Sequence, residues 1–209
     1  AFDPHPISVL RPEVTPARLT TMEQRAKLLT AAGADEVMRL EPSPALLALS
    51  PAAFIDSLIG PLNPVAMVEG PDFRFGKARA GDIKVLQGLG AERGFAVEVV
   101  DPVAAVLSNQ QIATASSTLV RTLLEAGRVT DAWAVLGRPY QMQGAVERGQ
   151  QLGRTIGLPT ANVRPPTLMP ADGVYAAIAR ATPHDDHRWW PAAVNVGARP
   201  TVGGPQRRV

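Results

Sequence analysis

Up to about residue 137 the chain reads as strand alternating with helix, and from Arg138 onward it reads as short strands alone. That change of texture restricts the fold more than any single motif. In the first part, AFDPHP (Ala1 to Pro6) reads as a strand end running into a tight loop, because Pro4 and Pro6 disfavour helix at the residues before them. Thr20 with Glu23 predicts a capping box, followed by an apolar face of Met22, Ala26 and Leu29 and a stop at Gly33. DEVMRL predicts a strand through Val37 and Leu40. Ser50 and Pro51 open a second helix with Phe54, Ile55 and Leu58 inward. VAMV (Val65 to Val68) reads as a buried parallel strand. A helix from Asp82 to Glu92 and a strand FAVEVV (Phe95 to Val100) continue the alternation, which predicts a doubly wound parallel sheet. A last helix runs from Thr130 to Leu136. Beyond it, QGAVERG, PTANV, DGVYAAIAR and WWPAAVNVG are alternating runs separated by Gly and Pro, the pattern of an all-β unit. The expected division is therefore 1–137 and 138–209.

Composition narrows the function classes. Of 209 residues, 45% are apolar and 19% charged, enough for packed cores. The net charge is +2 with basic residues scattered, so no stripe suits nucleic acid. Cysteine is absent, which excludes disulfides, Cys-ligated zinc and thiol catalysis. No apolar run reaches membrane-spanning length before a proline or charge breaks it. A cytoplasmic setting is expected, with neither nucleic acid nor membrane as a partner.

Four stretches carry chemistry. His5 lies in a loop after a strand end, where open α/β sheets bind ligands; a solvated loop histidine is the plain alternative. EGPDFRFGKARAGD interleaves Phe73 and Phe75 with Arg74 between Gly70 and Gly76, which suits a planar ligand bearing phosphate. The same phenylalanines would serve equally as core anchors of a surface loop. Ser116, Ser117 and Thr118 stand before a helical pattern with Arg121 one turn in, an arrangement suited to phosphate. An ordinary helix needs only one such cap. Finally, GQQLGRTIGLPTAN (Gly149 to Asn162) combines glycines, which allow backbone to approach a ligand, with a hydroxyl and an amide able to hold a hard cation. A Gly-rich connection between strands is the alternative.

Taken together, FDPHP (Phe2 to Pro6), LTTMEQRAKLL (Leu19 to Leu29), EGPDFRFGKARAGD (Glu69 to Asp82), SSTLVR (Ser116 to Arg121), LGRPY (Leu136 to Tyr140), GRTIGLPTAN (Gly153 to Asn162), PADGVYA (Pro170 to Ala176) and NVGARPT (Asn195 to Thr201) resemble the bacterial bifunctional riboflavin kinase/FMN adenylyltransferases, or FAD synthetases. The set falls in family order across nearly the whole chain. The resemblance implies a Rossmann-like α/β nucleotidyltransferase domain with a parallel sheet, followed by an all-β riboflavin kinase barrel. It implies riboflavin, FMN, FAD and ATP as substrates and products, with Mg²⁺ as cofactor. Ser116, Ser117, Thr118 and Arg121 would lie at the ATP phosphates of the adenylyltransferase, and His5, Asp72, Phe73 and Arg74 would line its flavin and nucleotide cleft. Gly149, Gly153, Gly157, Thr160 and Asn162 would bind ATP for the kinase, with Thr160 and Asn162 also ligating the metal.

The family's Gly-x-Phe-Asp-Gly-x-His-x-Gly-His motif is not found, and the histidines are His5, His184 and His187. The expectation is that this motif, with the first strand of the sheet, precedes Ala1. The kinase's catalytic glutamate and remaining strands are expected beyond Val209, so the domains are expected to be truncated and no catalytic residue is assigned. Two alternatives remain open: a non-catalytic flavin- or nucleotide-binding role, and a nucleotidyltransferase acting on another acceptor.

Overall fold

The computed structural model describes residues 1–147, 160–181, 188–198 and 207–208. Two compact units are present: residues 1–16 with 25–103, and residues 17–24 with 104–209.

In the first unit a short helix α1 (Ile7–Leu10) follows the opening loop, and α2 (Met22–Ala31) brings the chain back, its first residues grouping with the second unit. The cap of α2 lies one residue later than the sequence frame predicts. Thr21 Oγ1 accepts the Gln24 amide at 3.1 Å, while Gln24 Oε1 accepts the Thr21 amide at 2.9 Å. Leu29, expected on the apolar face, is 40% exposed, and Gln24 is buried instead. The predicted strand over 37–40 reduces to one parallel bridge between Phe2 and Leu40.

Helix α3 (Pro44–Leu47) and α4 (Pro51–Leu62) each begin on a serine cap, Ser43 and Ser50, with proline following. Strand β1 (Ala66–Glu69) pairs in parallel with β2 (Ala96–Val99), and α5 (Ile83–Arg93) forms the crossover, capped by Asp82. Gly90 sits where a Cβ would meet the Phe95 carbonyl at 2.6 Å, so the helix packs hard onto the start of β2. Phe54, Ile55, Phe75, Leu86, Leu89 and Phe95 form the core, with Met67 and Val97 packed against it. Parallel pairing agrees with the sequence reading, but full burial does not. Val68 is 55% exposed, because the helices of this core cover the face that bears Met67 and Val97 and not the other, and Val65, 87% exposed, precedes the strand.

In the second unit, hairpin β3 (Ala104–Val106) and β4 (Ile112–Thr114) precedes the helix pair α6 (Ser117–Glu125) and α7 (Val129–Leu136). Leu107, Val120, Leu123, Leu124 and Ala132 form a second core, joined at its edge by Leu19, Tyr140 and Leu168. Asp131 of α7 is 3% exposed and holds the hairpin: it accepts from Ser108 N at 2.6 Å and from Arg128 Nε at 2.7 Å. The remaining strands are antiparallel and fall in the segment that the sequence texture reads as all-β. β5 (Val146–Glu147) pairs with β6 (Asn162–Val163), and β7 (Gly173–Ala179), β8 (Trp190–Ala198) and β9 (Arg207–Arg208) form a separate sheet. Among the described residues these sheets do not close into a barrel, and the parallel sheet has two strands, far smaller than a doubly wound fold.

Candidate functional site

At the carboxyl end of β1 the chain enters the 70–81 loop. The Phe73 amide donates to Gly70 O at 3.1 Å, and Phe75 and Gly81 exchange two backbone bonds of 3.1 and 2.9 Å. Phe75 is 5% exposed and belongs to the core. Gly76, at φ 71°, lies so close to Pro51 that a Cβ would meet its backbone at 2.8 Å. An anchored ring and a glycine that only positive φ accommodates thus fix the loop's base. Phe73, half-buried, stacks on Phe75 with centroids 5.3 Å apart, while Asp72 and Arg74 are exposed. A row of rings connects this loop to the opening segment: Phe75 is 6.1 Å from Phe54, and Phe54 is 6.4 Å from Phe2. Phe2 leads directly into His5, whose Nδ1 accepts the Ile7 amide at 3.1 Å. A neutral His5 therefore carries its proton on Nε2.

Two groups at this loop titrate abnormally. Burial, and secondarily the charge of Asp72, pushes the Glu69 carboxyl above its usual range. The Val85 amide, outweighing desolvation, holds Asp82 below its usual value, with Arg74 and Lys84 adding to the effect. Glu69 is a residue that the sequence reading passed over; its position as the last residue of a parallel strand was the available signal.

At the start of α6, Ser116 is the cap, its Oγ accepting the Leu119 amide at 3.1 Å. Ser117 and Thr118 are exposed and take no part in capping. Arg121 lies three and four residues on from them, on the same helical face. Its Nε donates to Ala17 O at 2.7 Å, and its Nη groups have no hydrogen-bond partner among the described residues. Two spare hydroxyls and a held guanidinium therefore converge at one helix terminus.

Of the third group, Gly149, Gly153 and Gly157 lie outside the described residues. Thr160 is exposed, and Asn162 is 8% exposed in β6, directly opposite Glu147 of β5. Residues opposite one another across an antiparallel pair share a face, so the Glu147 carboxylate accompanies the Asn162 amide, with Thr160 two residues before it; Glu147 Oε1 also lies 4.0 Å from Arg164 Nε. An all-oxygen set of this kind fits a hard divalent cation completed by phosphate oxygens and water. Among the described residues no cluster of three or more His, Asp or Glu could hold a metal alone. Glu147 could not be found from sequence, since only strand register brings it to Asn162.

A parallel strand feeding a glycine-bracketed loop, a capped helix with spare hydroxyls, and separate antiparallel sheets define an α/β protein with an appended β segment. Comparison with known proteins gives it a family. The family model for FAD synthetase matches residues 1–117, and that for riboflavin kinase matches residues 136–209. The chain belongs to the FAD synthetase family.

It is 38% identical over 205 residues to the bifunctional riboflavin kinase/FMN adenylyltransferase of Pseudomonas fluorescens, covering 97% of this chain and 63% of that protein. To the Escherichia coli (strain K12) protein of the same name it is 34% identical, covering 100% and 64%. The chain thus spans less than two thirds of the curated relatives it matches. A solved structure titled a macrolide-efflux protein from Streptococcus pneumoniae superposes with a TM-score of 0.84 at 28% identity, covering 100% of this chain and 66% of that one. No helix among the described residues is long and apolar enough to cross a membrane.

Proposed function

We propose that this chain acts in flavin cofactor synthesis, in two steps. In the first, the 5′-hydroxyl of riboflavin attacks the γ-phosphorus of ATP, giving FMN and ADP. In the second, the FMN phosphate attacks the α-phosphorus of a second ATP, giving FAD and pyrophosphate. The observation that carries this reading is the order of the two family matches together with the α6 terminus, where Ser117, Thr118 and Arg121 meet beyond the capping serine. Donors and positive charge at that point stabilise charge growing on the departing pyrophosphate. The anchored 70–81 loop, with Asp72, Phe73 and Arg74, and the His5 loop would receive flavin and nucleotide.

The same reading puts riboflavin phosphorylation in the β segment. Thr160, Asn162 and Glu147 would hold Mg²⁺ there, which when bound neutralises charge on the ATP phosphates. Gly149, Gly153 and Gly157 would supply backbone donors to those phosphates. The boundary between the two activities would fall after Gly137; the left-handed glycine (φ 66°) that ends α7 and a riboflavin kinase match starting at residue 136 support this. A cytoplasmic setting accompanies this function.

Incubating the full-length protein that carries this sequence with riboflavin and MgATP, then separately with FMN and MgATP, and resolving the flavins by chromatography tests both steps. FMN and then FAD are expected; recovery of neither contradicts the proposal. A binding role without turnover is the second reading. Saturable quenching of FMN fluorescence without product formation would select it.

A further inference from the structure

Arg121 is held from an unexpected direction. The peptide carbonyl that receives its Nε–H, at 2.7 Å, belongs to Ala17, 104 residues earlier in the chain. The next carbonyl along, that of Arg18, accepts the Leu168 amide at 2.7 Å. Leu168 in turn uses its own carbonyl to accept the Tyr140 hydroxyl at 2.8 Å. Both backbone polar groups of Leu168 are therefore committed, one to the carbonyl next along the chain from the one that holds Arg121 and one to Tyr140. Outside this path, the Ala171 amide donates to Leu124 O at the end of α6, at 2.9 Å.

Packing supports the same chain of contacts. Leu19, Tyr140 and Leu168 close one edge of the core that also contains Val120, Leu123 and Leu124, so the strap formed by Tyr140, Leu168 and the Ala17–Arg18 carbonyls shares one hydrophobic cluster with the helix bearing Arg121. Burial raises the Tyr140 phenol above its usual range, opposed by the Thr167 hydroxyl and by the charges of Arg121 and Arg138. The Arg121 guanidinium thus lies within electrostatic reach of the ring whose hydroxyl anchors the strap.

The parts come from both family matches. Ala17 and Arg18 lie in the FAD synthetase match, whereas Tyr140 and Leu168 lie in the riboflavin kinase match. We infer that Tyr140, acting through Leu168 and the adjacent carbonyls of Ala17 and Arg18, is a positioning residue for the phosphate-binding face of Arg121. The riboflavin-kinase part of the sequence thereby sets the geometry of the nucleotide site used for adenylyl transfer. This inference rests on the reading of Arg121 as a phosphate ligand. A single guanidinium has five N–H donors. Committing Nε to a fixed carbonyl leaves the four Nη hydrogens aimed as a planar fork, which suits bidentate capture of phosphate oxygens. Freeing the carbonyl frees the fork.

The test compares two phenols whose hydroxyls donate to one loop, that between β6 and β7. Tyr140→Phe removes the bond to Leu168 O, whereas Tyr175→Phe removes an equivalent bond to Ala171 O (2.7 Å) that is not part of the strap. Calorimetric titration of the full chain with MgATP is expected to show affinity about five-fold weaker in Tyr140→Phe. Tyr175→Phe should match the wild type. Tyr140→Phe added to Arg121→Lys should cause no further loss, because the two act through one contact. Independently of nucleotide, the ¹H–¹⁵Nε signal of Arg121, assigned by its loss in Arg121→Lys, should move and exchange faster in Tyr140→Phe alone. An Arg121 signal unchanged by Tyr140→Phe, or moved equally by Tyr175→Phe, overturns the inference. If Arg121→Lys binds MgATP as well as the wild type, the phosphate role of Arg121 fails instead, and the signal still decides the strap.

Discussion

Asp131 Oδ1 accepts the backbone amide of Ser108 at 2.6 Å, tying helix α7 to the turn of the β3–β4 hairpin. The Ser108 hydroxyl and Arg128 Nε also donate to this carboxylate, at 3.1 and 2.7 Å. The Ser108 amide first, then Arg128 and the Ser108 hydroxyl, outweigh desolvation and hold the Asp131 carboxyl below its usual range. A depressed folded-state pKa contributes stability that is present above the unfolded value, roughly 3.9, and is lost as pH falls through the folded value. Urea unfolding of the wild type and Asp131→Asn should therefore differ most near neutral pH. The difference should shrink progressively below about pH 4. A gap independent of pH would mean that the carboxylate's charge contributes nothing.

Glu69 has the opposite sign. Burial first, and then Asp72, raise its pKa, so the folded state favours the protonated acid. Stability is then lost as pH rises from the ordinary glutamate value, about 4.3, through the raised one. Glu69→Gln should unfold at higher urea concentration than wild type at pH 7, and at nearly the same concentration below about pH 4. Carboxyl ¹³C titration adds a second check. In Asp72→Asn the Glu69 midpoint should fall yet stay above the ordinary value, because burial is the larger cause.

Local signals were legible in the sequence where the responsible residues are adjacent. Ser50 with Pro51, Asp82 and Ser116 each cap the helix that they predict, since a cap needs only the next three residues. The run Thr20-Thr21-Met22-Glu23-Gln24 shows where this fails. It contains two overlapping capping-box frames, and the structure uses Thr21 with Gln24 because Gln24 is the buried member. The strand expected at 37–40 needed a neighbour to pair with, and only Phe2 bridges to Leu40. For the candidate site, residue types were readable but partners were not. The pairing of Glu147 with Asn162 depends on register, and the hold of Ala17 on Arg121 spans 104 residues. The phenylalanines of the 70–81 loop divide between the two roles open to them: Phe75 is core, and Phe73 lies half-buried upon it.

The three hydroxyls at α6 should separate by role. Ser116→Ala removes the cap and should cost about 1 kcal/mol of stability. Ser117→Ala and Thr118→Ala break no capping bond and should leave the urea midpoint nearly unchanged while weakening MgATP binding. Denaturant curves and calorimetric titrations on the three variants check this. Equal stability losses throughout would mean that all three residues serve the helix and none serves phosphate.

Asn162 offers the sharpest separation of the two proposed reactions. Its side chain is buried in β6 opposite Glu147, in the segment matched to riboflavin kinase, whereas Ser117, Thr118 and Arg121 lie on α6. If amide, hydroxyl and carboxylate together hold the cation for the kinase step, removing the amide oxygen should slow riboflavin phosphorylation by at least about ten-fold. Conversion of FMN to FAD should proceed at its usual rate in Asn162→Ala, which also shows that the variant is folded. Glu147→Gln keeps the shape and removes the charge, so it should raise the Mg²⁺ concentration needed for half-maximal phosphorylation and leave adenylylation alone. Chromatographic assay of both products across a Mg²⁺ series distinguishes the outcomes. Equal loss of both activities in Asn162→Ala would contradict two separate sites, because one cation site would then serve both transfers.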